Sequence, residues 1–278
     1  MLTKTQLKEI FAKYSFRPLK RFGENYLVDG NIKDKIINEA RLAKDDVVLE
    51  IGPGLGALTF DLAVSGARVY AVEKDKKAYD ILREMAGDDH PNLTLFNADI
   101  LDFDFKRLPG DKKIKVVGNL PYYITTPIIE RMIENASRFA FALIMVQREV
   151  ANRLLAVPGG KDCSSISCFI RYHTRPAYIH TVKRGAFYPS PEVDSSIIRL
   201  DILEKPSVEA KNEKTLFKVI RGSFNQRRKT IVKSLSREEA LDIPKEKLSA
   251  LLESIGIDPI ARPETLSLSD FAKIANSL

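Results

Sequence analysis

The sequence predicts an α/β fold, a doubly wound parallel sheet followed by a small α-helical domain. Three observations predict it. Short, branched apolar runs alternate with amphipathic helical periods from residue 32 to residue 146. A glycine-rich turn joins the first such run to the helix after it. Beyond Lys205-Pro206 the β-type runs give way to helical patterns.

At 278 residues the chain suits one large domain or a large domain with an appendage, and either buries a real core. Its 44% hydrophobic and 29% charged residues exclude long disordered, fibrous and low-complexity classes. Lys and Arg number 44 against 37 Asp and Glu, a net charge of +7 that favours a polyanionic partner, nucleic acid first. The start has scattered lysines and no apolar h-region, and no apolar run approaches the ~20 residues of a membrane span, so a cytoplasmic protein is expected. Cys163 and Cys168 read as packing residues. His90, His173 and His180 are scattered without a second ligand at metal spacing, so no metal is assigned.

Residues 32–42 place Ile32, Ile36, Ile37 and Ala40 at helical spacing, and Val47 to Ile51, closed by Gly52-Pro53-Gly54, predicts a buried strand ending in a tight turn. A helix over 58–64, a strand over 68–72 and a helix over 76–86 with Ala78, Ile81, Leu82 and Met85 inward continue the alternation. Strands at 93–96 and 115–118, a helix at 127–136 and a strand at 139–146 complete it. Two β-type runs near 168–182 and 195–203 flank a loop broken by Pro189 and Pro191 and predict an edge hairpin. Helices are expected over 214–223, 227–235 and 245–255, in a domain spanning 206–278 after a first domain of 1–205.

In Glu50-Ile51-Gly52-Pro53-Gly54-Leu55-Gly56-Ala57 the glycines let the backbone turn sharply and a ligand approach without a Cβ in the way. Glu73 ends the next strand about 20 residues on, where a carboxylate accepts from both ribose hydroxyls of an adenosine. Gly52-x-Gly54-x-x-Ala57 also satisfies the loose dinucleotide fingerprint, and the turn by itself is compatible with a purely structural connection. Two features favour S-adenosylmethionine. Glu50 suits a ligand bearing a sulfonium and an ammonium, and Asp99, after the third strand, is placed either to accept from an adenine amine or to cap a helix before Ile100.

Asn119-Leu120-Pro121-Tyr122 follows a strand and so falls at the carboxyl edge of the sheet, where open α/β folds bind ligands. Its composition suits an amino group. The N6 nitrogen of adenine is a poor nucleophile because its lone pair is delocalised, and acceptors that hold its two hydrogens favour attack on a methyl. Asn119 Oδ1 is one candidate acceptor and the Leu120 carbonyl the other, left unpaired because Pro121 interrupts regular hydrogen bonding. Tyr122 can stack on the purine, worth roughly 1–3 kcal/mol per base. The tetrapeptide alone is equally a common loop turn. Phe187 is placed either over the opposite face of the base or as a core plug.

Phe224 to Thr230 with Lys233 and Arg237, including Arg227, Arg228 and Lys229, gathers cations, and Lys13, Arg17, Lys20 and Arg21 form a second cluster. Either cluster alone reads as a solvated face; with the net charge and an adenine-type site, phosphate contacts become the better reading.

Taken together these motifs resemble those of the ribosomal RNA adenine dimethyltransferases that act on the small subunit. Phe22 to Leu27 resembles the family's F-G-Q-N-F-L, Glu50 to Gly56 its E-I-G-P-G-x-G, and Asn119 to Tyr122 its N-L-P-Y. Phe187 to Ser195 is similar to F-x-P-x-P-x-V-D-S, Arg227 to Thr230 to R-R-K-T, and Arg262-Pro263-Glu264 to a late R-P/A-E element. The resemblance implies a Rossmann-like methyltransferase domain with a helical RNA-binding domain. It implies cofactor contacts from Asn25, Leu27, Gly52, Glu73, Asp99 and Asn119, to which the glycine turn adds Glu50 and Gly54 as candidates. It also implies transfer of two methyls to each of two adjacent adenosines near the 3′ end of small-subunit rRNA, on an assembling particle, by a monomer. Four places depart from the pattern: Glu24 and Tyr26 replace Gln and Phe, Tyr123 stands where many members carry Asn, and Gly160 to Ser167 lacks an aromatic and a glycine. The rivals are a large-subunit rRNA methyltransferase of the antibiotic-resistance type, an idle RNA-binding assembly factor and, more remotely, a dehydrogenase.

Overall fold

A computed structural model of the chain describes residues 2–18, 25–120, 124–226, 229–238 and 243–278. They divide into two compact units, Met1–Ala151 with Ala177–Ile202, and Asn152–Pro176 with Leu203–Leu278.

The first unit opens with α1 (Lys4–Lys13), capped by Thr3, whose hydroxyl accepts the Gln6 N–H at 3.2 Å. Strand β1 (Tyr26–Leu27) follows, then α2 (Gly30–Ala40), β2 (Val47–Ile51), α3 (Thr59–Val64), β3 (Arg68–Glu73), α4 (Lys76–Ala86) and β4 (Leu93–Asn97). Next come β5 (Ile114–Asn119), α5 (Thr125–Glu134), β6 (Phe139–Gln147) and α6 (Arg148–Leu155). Asp29 and Asp75 cap α2 and α4 by accepting first-turn amides, which fixes where those helices start.

After α7 (Ser165–His173) come β7 (Thr174–Val182), β8 (Phe187–Tyr188) and β9 (Ser195–Ile202). The sheet order is β4-β3-β2-β5-β6-β9-β7. Strands β4, β3, β2, β5 and β6 pair in parallel and β9 runs antiparallel to β6. All five residues of β2 are buried, as expected of a central strand covered on both faces. The order reverses between β2 and β5, so the loops after these two strands part to opposite sides and leave a crevice at their carboxyl ends. The expected edge hairpin is replaced in part. Strands β9 and β7 are neighbours at the sheet edge, but 165–173 is helical. The β-type run expected near 168–182 thus begins inside a helix, and a helix start decides this. Ser164 N–H donates to Ser167 Oγ at 3.1 Å, and Cys163 and Cys168, flanking that cap at staple positions, bring their Sγ atoms to 3.6 Å.

The second unit is α-helical, with α7 joined by α8 (Glu213–Phe224), α9 (Ile231–Leu235), α10 (Lys245–Ser254) and α11 (Leu268–Ser277). Its core gathers Cys163, Cys168 and Tyr172 with Leu216, Phe217, Ile220, Leu248 and Phe271. That packing explains why the boundary is not the single cut expected at 205. Residues 152–176 bury their apolar side against α8 and belong with it. The helix expected over 227–235 starts later, after Thr230, and its first amides, those of Ile231 and Val232, donate to the carbonyls of Ala261 and Pro259. Among the described residues no helix is long and apolar enough to cross a membrane.

Candidate active site

The crevice beside β2 and β5 is a cleft of about 1060 Å³, open solvent included. Its lining draws on Asn25 to Leu27, the turn from Glu50 to Gly54, Glu73 to Asp75, Ala98 to Ile100 and Asn119-Leu120. The sequence motifs thus converge on one place: every expected cofactor residue, from Asn25 and Leu27 through Glu50, Gly52, Gly54, Glu73 and Asp99 to Asn119, lies on this wall.

The turn is shaped by backbone conformation. Gly52 and Gly54 have φ of +68° and +57°, which L side chains rarely adopt, and a Cβ on Gly54 would stand 2.9 Å from the Tyr26 ring. In the adjoining strand, a Cβ on Gly118 would stand 2.7 Å from the Ile51 carbonyl. Glycine there lets β5 close on β2 and brings Asn119 beside the turn.

Glu73 is held at both oxygens, Oε2 accepting the Gly54 N–H at 2.9 Å and Oε1 the Asp75 N–H at 2.8 Å. These bonds fix the carboxylate plane, and a carboxylate keeps further lone pairs for ribose hydroxyls. Burial still pushes its carboxyl pKa above the ordinary value. Glu50 is 2% exposed, and its Oε2 has no hydrogen-bond partner among the described residues. Burial, opposed by the Thr59 hydroxyl and helped by a weaker repulsion from Glu73, pushes Glu50 up to about 8.

Asp99 accepts from the Leu101 N–H at 3.0 Å and pairs with the Lys74 ammonium at 2.6 Å. Burial opposes its charge, but these two partners outweigh it and hold the carboxyl below its usual range. Of the two roles expected for Asp99, no helix begins at Ile100; the carboxylate closes a short turn and faces the cleft.

Asn119 ends β5, and its Nδ2 donates to the Asn25 carbonyl at 3.1 Å. The nitrogen end of the amide is thereby committed to the chain, and Oδ1 is the end that serves as acceptor. Leu120 lines the cleft with its N–H bonded to the Met145 carbonyl at 3.0 Å. Pro121 and Tyr122 lie outside the described residues, as do Tyr123 and Glu24.

Phe187 takes the second of its two expected places. It is 4% exposed, paired with Leu27 across the β1–β8 ribbon and packed with Val117 and Met145, and it does not line the cleft. The ring supports the short strand that follows Asn25; an apolar ring in a tight core has no open face to offer a base. Tyr26, a departure from the family pattern, pairs with Tyr188, and its ring meets Phe11 and Phe16 edge-on behind Gly54.

Sequence reasoning missed Lys74 and Met145. Lys74 had a signal, a cation next to the ribose-type carboxylate; Met145 had none, because only the sheet order brings β6 beside β5. Of the basic residues, Lys229 and Lys233 are exposed on the helical unit and Arg17 on the first, while Lys13 is tied to Glu84 at 3.3 Å and to the Tyr14 hydroxyl. Lys20, Arg21, Arg227 and Arg228 lie outside the described residues.

The donor set fits S-adenosylmethionine. An orphaned buried carboxylate oxygen awaits positive charge, a glycine cradle leaves room where a Cβ would intrude, and a fixed second carboxylate stands at the next strand's end. Known proteins agree. Residues 16–278 match the family model described as ribosomal RNA adenine dimethylase. The chain is 42% identical over 275 residues to the ribosomal RNA small subunit methyltransferase A of Lachnoclostridium phytofermentans, covering 98% of this chain and 95% of that protein. It is 41% identical to the protein of the same name from Clostridium perfringens, with 98% and 94% covered. Among solved structures, it is similar to a dimethyladenosine transferase from Plasmodium falciparum, with TM-score 0.77, 27% identity and coverage of 90% and 95%. It is also similar to the 23S rRNA methyltransferase ErmE, with TM-score 0.71, 28% identity and coverage of 91% and 99%. The chain belongs to the ribosomal RNA adenine dimethylase family.

Proposed function

We propose that the protein is a small-subunit rRNA adenine N6-dimethyltransferase, which transfers methyl groups from S-adenosylmethionine to two adjacent adenosines of the 3′-terminal hairpin during ribosome biogenesis. The observation that carries this reading is the hydrogen bond from Asn119 to the Asn25 carbonyl beside the glycine turn and Glu73. With the amide nitrogen so held, the oxygen is left as the acceptor, which supports chemistry that needs no strong base. The small subunit is favoured by relatives at 41–42% identity bearing that name, against 28% for the 23S enzyme.

S-adenosylmethionine, when bound, supplies an electrophilic methyl. The chain supplies alignment. Glu73 takes the ribose hydroxyls, Asp99 accepts from the cofactor's adenine amine, and Asn25 and Leu27 close the wall. Glu50 offers negative charge to the cationic end. Asn119 Oδ1 and the Leu120 carbonyl each accept one hydrogen of the target amine, so its lone pair leaves conjugation and points at the methyl; the proton displaced on methylation passes to solvent. Pro121 keeps the Leu120 carbonyl out of regular pairing, Tyr122 stacks on the base, and Phe187 holds the wall from behind. Lys20, Arg21, Arg227, Arg228, Lys229 and Lys233 contact phosphates, and the helical residues from 206 onward are the main RNA-binding domain. The protein works in the cytoplasm as a monomer on an assembling small subunit.

Purified protein with labelled cofactor is expected to methylate small subunits from cells lacking the enzyme, yielding dimethyladenosine by mass spectrometry. Labelling of large-subunit RNA alone, or of neither, overturns the reading.

A further inference from the structure

Glu50 is the one carboxylate among the described residues of the cleft with a buried oxygen that has no hydrogen-bond partner. Its partners across the sheet, Ala71 and Val117, carry no charge. The Thr59 hydroxyl of α3 and the Glu73 carboxyl at the end of β3 act on it directly, and it shares the cleft lining with Lys74 and Asp75, with Asp99 from beyond β4 and with Tyr26 from β1. Lys74, the single cation among the described residues of this lining, is already paired with Asp99 at 2.6 Å. Four carboxyls therefore share a wall with one committed ammonium, and among the described residues of this lining no other positive charge stands near the most buried of them.

We infer that Glu50 reads the charge of the cofactor: it holds a proton in the ligand-free protein and surrenders it to solvent when the cationic end of S-adenosylmethionine is seated beside it. The inference rests on the cofactor site proposed above and adds its proton linkage. In the exchange the carboxyl O–H bond breaks, the proton goes to buffer, and the remaining carboxylate becomes the counter-ion of the ligand. A carboxyl pushed up to about 8 is mostly in its acid form at neutral pH, so the proton is there to be released. S-adenosylmethionine carries a sulfonium and an ammonium against one carboxylate, whereas S-adenosylhomocysteine has lost the sulfonium. The product therefore draws less of the proton out and is held less firmly by Glu50. A buried acid that ionises only against a cation thus separates donor from spent donor by charge, without contacting the methyl.

Titration calorimetry of the full chain at pH 7, in buffers of low and high ionisation enthalpy, tests this. Wild type is expected to release close to one proton per S-adenosylmethionine bound, and clearly less per S-adenosylhomocysteine. Glu50→Gln is expected to release none and to lose about tenfold of its preference for donor over product, which at 1.4 kcal/mol per tenfold is one charge interaction in a screened site. Binding without buffer dependence, or equal release in Glu50→Gln, overturns the inference and leaves the cofactor site standing. Failure of either ligand to bind overturns both. Should Glu50→Gln not fold, Glu73→Gln carries the test: it is expected to bind more weakly yet keep the proton release, and loss of release there overturns the assignment to Glu50. Infrared difference spectra of wild type give a third readout, the disappearance of a protonated-carboxyl band when S-adenosylmethionine is added.

Discussion

The α/β unit and the helical unit each hold a titratable side chain with a buried polar atom that no described residue satisfies, Glu50 in the first and His173 in the second, and the two behave oppositely. Glu50 is pushed up to about 8; His173 is lowered to about 4, by burial alone. Their surroundings differ as well. Glu50 faces a cleft whose walls are glycines and ligand-type carboxylates. His173 is packed among Phe217, stacked on it at 5.6 Å, Phe169 at 4.9 Å and Tyr172 at 4.7 Å, with Glu213 at 3.7 Å from its Nε2. An orphaned polar atom points to function only when it faces space that something else can fill. Where aromatic rings already fill that space, as around His173, the same orphan is a cost of packing.

The sharpest division between the units lies in what they do to turnover. Asn119→Ala is expected to lower turnover on the order of 100- to 1,000-fold, as loss of one preorganised polar group does, while calorimetric cofactor affinity falls only a few-fold. Turnover near wild type would remove Asn119 from the chemistry. Next in size is the pH dependence of stability in the ligand-free protein. A carboxyl raised from 4.5 to about 8 contributes stability fully below its unfolded value and loses it as pH rises through the folded one. Glu50→Gln should therefore match wild type near pH 4.5 and exceed it by about 2–4 kcal/mol above pH 8 in denaturant titrations, a gap that saturating cofactor narrows.

His173 carries the opposite sign. A histidine lowered from 6.5 to about 4 contributes stability that is present above 6.5 and lost as pH falls through 4. His173→Phe is expected to remove about 1–3 kcal/mol of acid lability between those values, read by thermal melts at pH 4 and pH 7. If both variants shift stability at the same end of the pH scale, the contrast between the units is wrong. The smallest effect belongs to the exposed cations. Lys229→Ala with Lys233→Ala should leave cofactor binding unchanged and reduce the slope of log RNA affinity against log salt by about 1.4–1.8 in filter binding. An unchanged slope would remove these two lysines from the RNA surface.

Much of this was legible because it is local. Strands at 47–51 and 139–146 and the helix over 76–86 appear where periodicity expects them, since each buries one face and carries its own start and stop residues. A β-type run is expected near 168–182, yet residues 168–173 lie in a helix, because a local apolar run cannot reveal the contact between Cys163 and Cys168 or the partners in α8. Phe187 could be read two ways for the same reason: an aromatic in a proline-rich loop covers a base or fills a core, and only its packing against Val117 and Met145 decides.

Sequence by itself determined the alternation of strand and helix, the glycine turn, the acidic residues at strand ends, the N-L-P-Y segment and the excess of basic charge. Each is a property of neighbouring residues or of composition. Tertiary structure decided the rest. The strand order places β5 against β2, so that Asn119 stands beside a turn formed almost 70 residues earlier. The Asn25 carbonyl, 94 positions away in the chain, chooses which end of the Asn119 amide serves as acceptor. Glu50 became an acid near neutrality only when a sheet closed on both its sides. Burial and orientation are set by whatever the folded chain brings alongside, and no local pattern carries that information.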